Sequence, residues 1–291
     1  MGLAMAAMAV AFQVQSITHT TTGGTARELT VAVWYPTTAT ASSTRAYAYT
    51  TGTVVEDGPL ADGSWPLLVL SHGLDECGTS AAFLAQHIAA AGFIVAAPDH
   101  EDASSCVTTG GQRPATWYGN QPEQRLPERP REITTVIDAM QARYPITQVL
   151  AAGHSVGGWT IVAAGDPRVQ SSVLWSIGPR FDPQTSYARA QAPVLLMYGA
   201  QEWMIGTRYE TAALETVPAP AYQVTVADAG HYAFTDREHC RFYRTVERCY
   251  RYSPVQRTIL AHTLSLLLAV ARGDATAWGR LAALSLQKLE A

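Results

Sequence analysis

Six short apolar runs set the fold that this chain can adopt: Leu67–Leu70, Phe93–Ala97, Val149–Ala152, Val173–Ile177, Val194–Tyr198 and Tyr222–Val226. Each is continuous, without the polar alternation of a strand that has one wet face, so each reads as a strand buried on both faces of a parallel sheet. Helical stretches lie between most of them, at Ser80–Ala91, Arg131–Arg143, Gly158–Gly165 and Arg208–Thr216, and a last helix spans Pro254–Arg272. Two earlier segments, Phe12–His19 and Leu29–Tyr35, alternate as exposed strands do. Antiparallel strands followed by repeated strand–helix units predict an α/β class: a mostly parallel central sheet with antiparallel N-terminal strands and helices on both faces. In such sheets reactive groups gather beyond the carboxyl ends of the strands.

The 291 residues, 47% of them hydrophobic and 15% charged, suit one large α/β domain, expected over residues 13–291. Residues 37–64 read as a loop or weak hairpin, and residues 107–130, rich in Gly, Pro, Gln and Arg, as a long excursion. Neither reads as a linker, because strand and helix signals alternate on both sides. A net charge of −4 and a pI of about 6.1 give no electrostatic reason to expect nucleic acid or an anionic membrane as a partner. Beyond the N-terminus no run reaches the roughly 18 apolar residues of a membrane span, so no stable membrane insertion is expected. Met1–Phe12 is small and apolar, either a signal remnant with Ala7-Met8-Ala9 as cleavage site or a flexible arm.

Four cysteines without CxxC spacing, Cys77, Cys106, Cys240 and Cys249, fit disulfides and an extracytoplasmic (periplasmic or secreted) compartment better than zinc. Cys240 and Cys249 are close enough to pair across a short loop. Cys77 and Cys106 each follow a predicted strand and have the opportunity to meet at the strand ends. The alternative is four free thiols in a cytoplasmic protein.

The Val149–Ala152 run leads into Gly153-His154-Ser155-Val156-Gly157-Gly158 and then a helix. This is G-x-S-x-G in the strand–turn–helix setting that exposes a nucleophilic serine. The flanking glycines let strand and helix approach without a Cβ clash, and the turn aims backbone N–H groups at the reacting centre. Ser155 is the candidate nucleophile. Leu67–Leu70 ends in Ser71-His72-Gly73-Leu74, so the backbone N–H groups of Leu74 and Val156 are the candidate oxyanion donors. His72 reads as a brace for that loop rather than a metal ligand, and Asp99-His100 as support for the floor of the site.

A serine nucleophile needs a base, and the base an orienting carboxylate, in the chain order Ser, acid, His. Of His231, His239 and His262, only His231 follows the last strand on a loop that can reach over the sheet. Glu202, in Gly199-Ala200-Gln201-Glu202, occupies the turn where the acid usually sits; Asp182, after the preceding strand, is the alternative, and Asp228 reads as a turn residue. Trp117, Trp159 and Trp203 are candidate substrate-binding residues, with core packing as the competing reading for these and for Tyr118 and Trp175.

Given these residues, the chain resembles the bacterial predicted dienelactone hydrolases, relatives of platelet-activating-factor acetylhydrolase in the α/β-hydrolase superfamily. The likeness rests on Leu70-Ser71-His72-Gly73, Gly92–His100, Gly153–Gly158, Asp166-Pro167-Arg168-Val169, Pro193–Glu202 and Ala229–Phe234. It implies an α/β-hydrolase fold and a serine carboxylesterase with a Ser-His-acid triad and neither metal nor organic cofactor. Dienelactone hydrolases proper use cysteine where Ser155 stands, so their reaction is not implied. Family members commonly carry aspartate at the position of Glu202. The acetylhydrolase branch takes its acid after the preceding strand, an arrangement that Asp182 matches. No insertion between Val173 and Val194 is large enough for a helical lid, so an open site for short-chain or bulky and aromatic esters is expected, on a small-molecule or polymeric substrate. The competing functions are a cutinase-like polyester hydrolase, a peptidase or acyltransferase on the same triad, and a non-catalytic binding protein that keeps the fold.

Overall fold

The computed structural model describes residues 7–103, 106–110, 126–177, 187–205, 207–237, 254–284 and 286–288. Strands β1 (Ala9–Thr20) and β2 (Ala26–Thr37) form a long antiparallel pair in which Phe12 faces Trp34. A second, short antiparallel pair, β3 (Ser43–Ala46) and β4 (Thr51–Glu56), realises the weak hairpin expected in residues 37–64 and joins β1 along β4. Six parallel strands follow, each built on one of the apolar runs: β5 (Trp65–Ser71), β6 (Ile94–Pro98), β7 (Ile146–His154), β8 (Val169–Trp175), β9 (Val194–Gly199) and β10 (Ala221–Val226). Strand β11 (Leu286–Lys288) closes one edge antiparallel to β10. The sheet order is β11-β10-β9-β8-β7-β5-β6-β2-β1-β4-β3.

The continuous apolar runs have a direct cause: each strand feeds two cores. Leu67, Val69 and Ile94 pack with Ile133, Val136, Ile161 and Ala213 from helices α2 (Arg129–Arg143), α3 (Val156–Ala164) and α4 (Thr207–Thr216). Leu68, Leu70 and Val95 pack on the other face with Leu84, Ile259, Leu266 and Leu281 from α1 (Ala82–Ala90), α5 (Pro254–Arg272) and α6 (Ala275–Ala282). Helix α5 is long and apolar enough, at a mean hydropathy of 1.2, to cross a bilayer, but its Ile259, Leu266 and Leu267 are spent on this core. The sheet order reverses at β5, whose neighbours β6 and β7 leave in opposite directions. The carboxyl ends of β5 and β7 therefore flank the crevice where such sheets place their chemistry.

Three expectations change. Residues 1–12 are not an arm at their C-terminal end: Ala9–Phe12 belongs to β1, with Val10, Ala11 and Phe12 buried. The reason is that β1 lies between β2 and β4, where Phe12 packs edge-on against Trp34 at 5.0 Å. Leu29–Tyr35 is not half exposed either. With β6 on its other side, β2 sends Ala32 and Trp34 into one core and Val31, Val33 and Tyr35 into the other. Helix α6 was not legible as a hydrophobic run; its signal is Asp274, whose carboxylate accepts hydrogen bonds from the N–H groups of Thr276 and Ala277. Between β8 and β9 the described residues form only a short 3-10 turn, Tyr187–Arg189, while 178–186 lie outside the described residues.

Candidate active site

Ser155 is the single residue between β7 and α3, with φ 53° and ψ −118°. A residue with a Cβ costs about 1–3 kcal/mol in such a conformation. The Ser155 N–H donates to Trp175 O at 2.8 Å, which ties the turn to β8. The glycines two residues either side are sterically required. A Cβ on Gly157 would lie 2.0 Å from Ser71 O, and one on Gly153 would lie 2.4 Å from the Gly157 carbonyl. The start of α3, whose first residue is Val156, is thus pressed onto the end of β5. Ser155 shares a cavity of about 230 Å³ with Leu74, Glu76, Met204, His231 and Tyr232.

His231 opens a 3-10 turn, His231–Phe234, on the loop beyond β10. Its Nδ1 lies 2.8 Å from Glu202 Oε2. The other oxygen of Glu202 accepts the N–H groups of Met204 at 2.8 Å and Ile205 at 3.1 Å. The two loops are pinned together by Gln201 N–H to Ala229 O at 2.8 Å and Ala200 N–H to Val226 O at 2.9 Å. Burial alone would raise the Glu202 carboxyl pKa; the bond from His231 and the two backbone donors outweigh it and hold the group lowered, as a carboxylate. Burial lowers the His231 pKa against the opposing pull of Glu202, so the imidazole is neutral at neutral pH. Asp182, the alternative acid, lies outside the described residues, as do His239, Cys240 and Cys249.

The loop after β5 is fixed by buried charge. Arg129, fully buried at the start of α2, holds Asp102 through Nε at 2.6 Å and Nη2 at 2.5 Å. The same guanidinium donates to His72 O at 2.7 Å and to Gly73 O at 3.1 Å. His72 Nδ1 also donates to Gly73 O, at 2.7 Å, while its Nε2 accepts the His100 N–H at 3.0 Å. That tautomer is neutral, and burial together with the Arg129 charge pushes the His72 pKa down to about 4. Because a trans peptide sets N–H antiparallel to C=O, anchoring Gly73 O on Arg129 and His72 turns the Leu74 N–H away from them. His72 is thus the loop brace that its sequence position suggested. His100 supports it in turn, bonding Ser71 Oγ at 2.8 Å and pairing with Glu132. Asp99 holds the N–H groups of Gly78 and Thr108, both at 2.8 Å.

The aromatic candidates divide. Trp159 is 7% exposed and packs with Leu126 and Val156 behind the start of α3, so it does not line the cavity. Trp203 is 76% exposed beside Glu202, and its neighbour Met204 lines the cavity in its place. Trp117 and Tyr118 lie outside the described residues. Trp175 is core. Cys77 and Cys106 form a disulfide that joins the loop after β5 to the loop after β6. Sequence reasoning passed over Glu76, Asp102 and Arg129, which carry no motif; buried charge is visible only once the chain is folded.

A family model described as platelet-activating factor acetylhydrolase, isoform II, matches residues 24–129, a stretch that includes Gly73 and Leu74 but ends before Ser155. No curated protein matches the sequence significantly. Among solved structures, a ferulic acid esterase from Streptomyces cinnamoneus superimposes with a TM-score of 0.69 over 90% of each chain, at 17% identity. At that identity the likeness is one of architecture, and it agrees with the sheet order and the serine turn: the chain has the α/β-hydrolase fold.

Proposed function

We propose that the protein is a serine-dependent carboxylic ester hydrolase. Ser155 attacks the ester carbonyl while His231, oriented by Glu202, takes its proton. The N–H groups of Leu74 and Val156 receive the oxyanion. His231 then protonates the leaving alcohol, and water repeats the cycle on the acyl-enzyme. The observation that carries this reading is the convergence, on one cavity, of a serine in a strained turn and a buried histidine whose Nδ1 meets a carboxylate at 2.8 Å. The acetylhydrolase family match and the esterase neighbour support the same chemistry.

The cavity, about 230 Å³, is smaller than the roughly 300–1,000 Å³ of sites that enclose drug-sized ligands. It suits a short acyl group with the rest of the ester outside, hence short-chain esters or bulky and aromatic esters presented edge-first. The Cys77–Cys106 disulfide supports an oxidising, extracytoplasmic compartment. The test is a p-nitrophenyl ester chain-length series with the protein and its Ser155→Ala variant, beside fluorophosphonate labelling. Turnover falling as the acyl chain lengthens, with no turnover and no label in the variant, is expected. Equal ester turnover by both proteins would refute the serine mechanism.

A further inference from the structure

Two buried ionisable residues at the site have no part in the steps above. Glu76 is fully buried and His154 is 2% exposed. His154 precedes Ser155 in the turn, and its ring packs beside that of His231 at 4.9 Å between centroids. Its Nε2 lies 2.9 Å from the backbone O of His231, and its Nδ1 lies 3.2 Å from Glu76 Oε2. That same carboxylate oxygen accepts the Gly73 N–H at 2.9 Å. The pair therefore spans from the peptide just before Leu74 to the backbone of His231. Space has been left for it: a Cβ on Gly73 would lie 2.7 Å from Glu76 Oε2 and 2.9 Å from His154 Nδ1.

Proton accounting fixes the state of the bridge. A carbonyl only accepts, so His154 Nε2 carries a hydrogen. Were Nδ1 bare and Glu76 ionised, two lone pairs would face each other in a buried site. One further proton must lie between Nδ1 and Oε2, as imidazolium with carboxylate or imidazole with carboxylic acid. Either form is neutral as a pair and leaves the basicity of His231 to Glu202. Burial would raise the Glu76 pKa, but the charge and hydrogen bond of His154, then His72 and the Gly73 N–H, outweigh it and leave it lowered, which favours the carboxylate. Glu76 Oε1 has no hydrogen-bond partner among the described residues. An unmet buried acceptor costs about 1–3 kcal/mol, so stability alone does not account for a carboxylate here.

We propose that Glu76 and His154 are positioning residues: one shared proton ties the oxyanion loop at Gly73 to the backbone of His231, so that oxyanion donor and base hold one relative geometry. The proposal rests on the hydrolytic reading above. The tie touches no substrate atom, so its loss is read in kcat and leaves KM nearly unchanged. The charged and titratable groups around the pair are His231 across the ring stack, His72 at the end of β5, Asp75 and Arg237 on the cavity wall, and Tyr232 and Asp236 on the segment after His231.

The test breaks each half of the bridge. His154→Asn keeps a donor near Nδ1 for Glu76 but loses the His231 carbonyl. His154→Gln keeps a donor near Nε2 but loses Glu76, and Glu76→Gln removes the shared proton. Rates are measured per site titrated with a fluorophosphonate, so that poor folding lowers the number of sites and not kcat. Each variant is expected to lose about tenfold in kcat, with KM within about threefold; this is below the ~10²–10³ of deleting a whole oxyanion donor. Titrated variants with wild-type kcat, or with a loss confined to KM, would overturn the proposal. Absence of ester turnover in the unaltered protein would instead overturn the hydrolytic reading.

Discussion

Replacing Glu202 by glutamine tests the site at its most specific contact. Oε1 of Glu202 sits between two backbone donors, Met204 N–H at 2.8 Å and Ile205 N–H at 3.1 Å. A glutamine must give its carbonyl oxygen to those donors, because its NH₂ cannot accept from them. The NH₂ then takes the position of Oε2, 2.8 Å from His231 Nδ1. Nδ1 is forced to accept, so the hydrogen moves to Nε2, the nitrogen that must be bare to take the serine proton. Locking the wrong tautomer in a Ser-His-acid site lowers kcat by about 10⁴, which corresponds to about 5.4 kcal/mol of transition-state stabilisation. Glu202→Ala removes the anchor without imposing a tautomer and is expected to lose less than Glu202→Gln.

The pH profile supplies an independent check. Only neutral His231 accepts the serine proton, so kcat/KM rises as His231 deprotonates, with a midpoint below the ordinary 6.5 because burial lowers its pKa. Glu202 opposes that lowering, so its removal moves the rising limb to still lower pH while the plateau collapses. The assay is p-nitrophenyl butyrate hydrolysis from pH 4 to 9 by the protein, Glu202→Gln, Glu202→Ala and Asp182→Asn. A loss under tenfold in Glu202→Gln, or a comparable loss in Asp182→Asn, refutes Glu202 as the orienting acid.

Arg129→Ala should cost about 3–5 kcal/mol, because it strands the buried Asp102 carboxylate; urea unfolding measures this, and a cost below 1 kcal/mol would contradict the network. Opening the Cys77–Cys106 bridge, which closes a loop of 29 residues in sequence separation, should remove about 3–4 kcal/mol in the loop-entropy model. Thermal melts of Cys106→Ala with and without reductant check this, and a melt identical to that of the unreduced protein would contradict it. Ser155→Gly should be more stable than Ser155→Ala by about 1–3 kcal/mol, since only glycine is unstrained in that turn; both are inactive, and equal melting temperatures would show the turn to be relaxed. The Asp236 carboxyl is raised from 3.8 to about 8 by burial, so its contribution is fully present below pH 3.8 and is lost as pH rises from there to about 8. Asp236→Asn should flatten that loss in melts taken from pH 5 to 9, and parallel curves would show that another group is responsible.

What the sequence revealed depended on the range of the interaction. The six parallel strands and the serine turn are local: an apolar run between two cores, and a glycine on each side where backbone meets backbone. Glu202 was one of two candidates because local signals place a carboxylate after a strand without saying which loop reaches His231. The contacts from Ala229 and Val226 that set Glu202 opposite His231 join residues distant in sequence. The start of β1 was missed for the same reason. Ala9–Ala11 looked like part of a leader or arm, and the strands that cover it, β2 and β4, lie far along the chain.

The same distinction explains how the site holds its geometry. Its proposed reactive groups come from four loops, and loops at a sheet end have no regular ladder to fix them. Here three devices fix the four loops. The serine loop is wedged by absent side chains at Gly153 and Gly157. The oxyanion loop hangs from Arg129 and Asp102, and the acid and base loops are laced by backbone bonds at Ala229 and Val226. Glycine pairs leave a motif; a buried arginine does not, since its partners are two carbonyls and an aspartate far along the chain. An arginine that donates to two successive carbonyls, His72 O and Gly73 O, leaves the next N–H only one direction in which to point. The direction of the Leu74 N–H, the proposed oxyanion donor, is therefore a consequence of Arg129, a residue 55 positions later. Exchange of Arg129 for lysine, which keeps the charge but not the fork, should accordingly lower kcat more than it lowers stability.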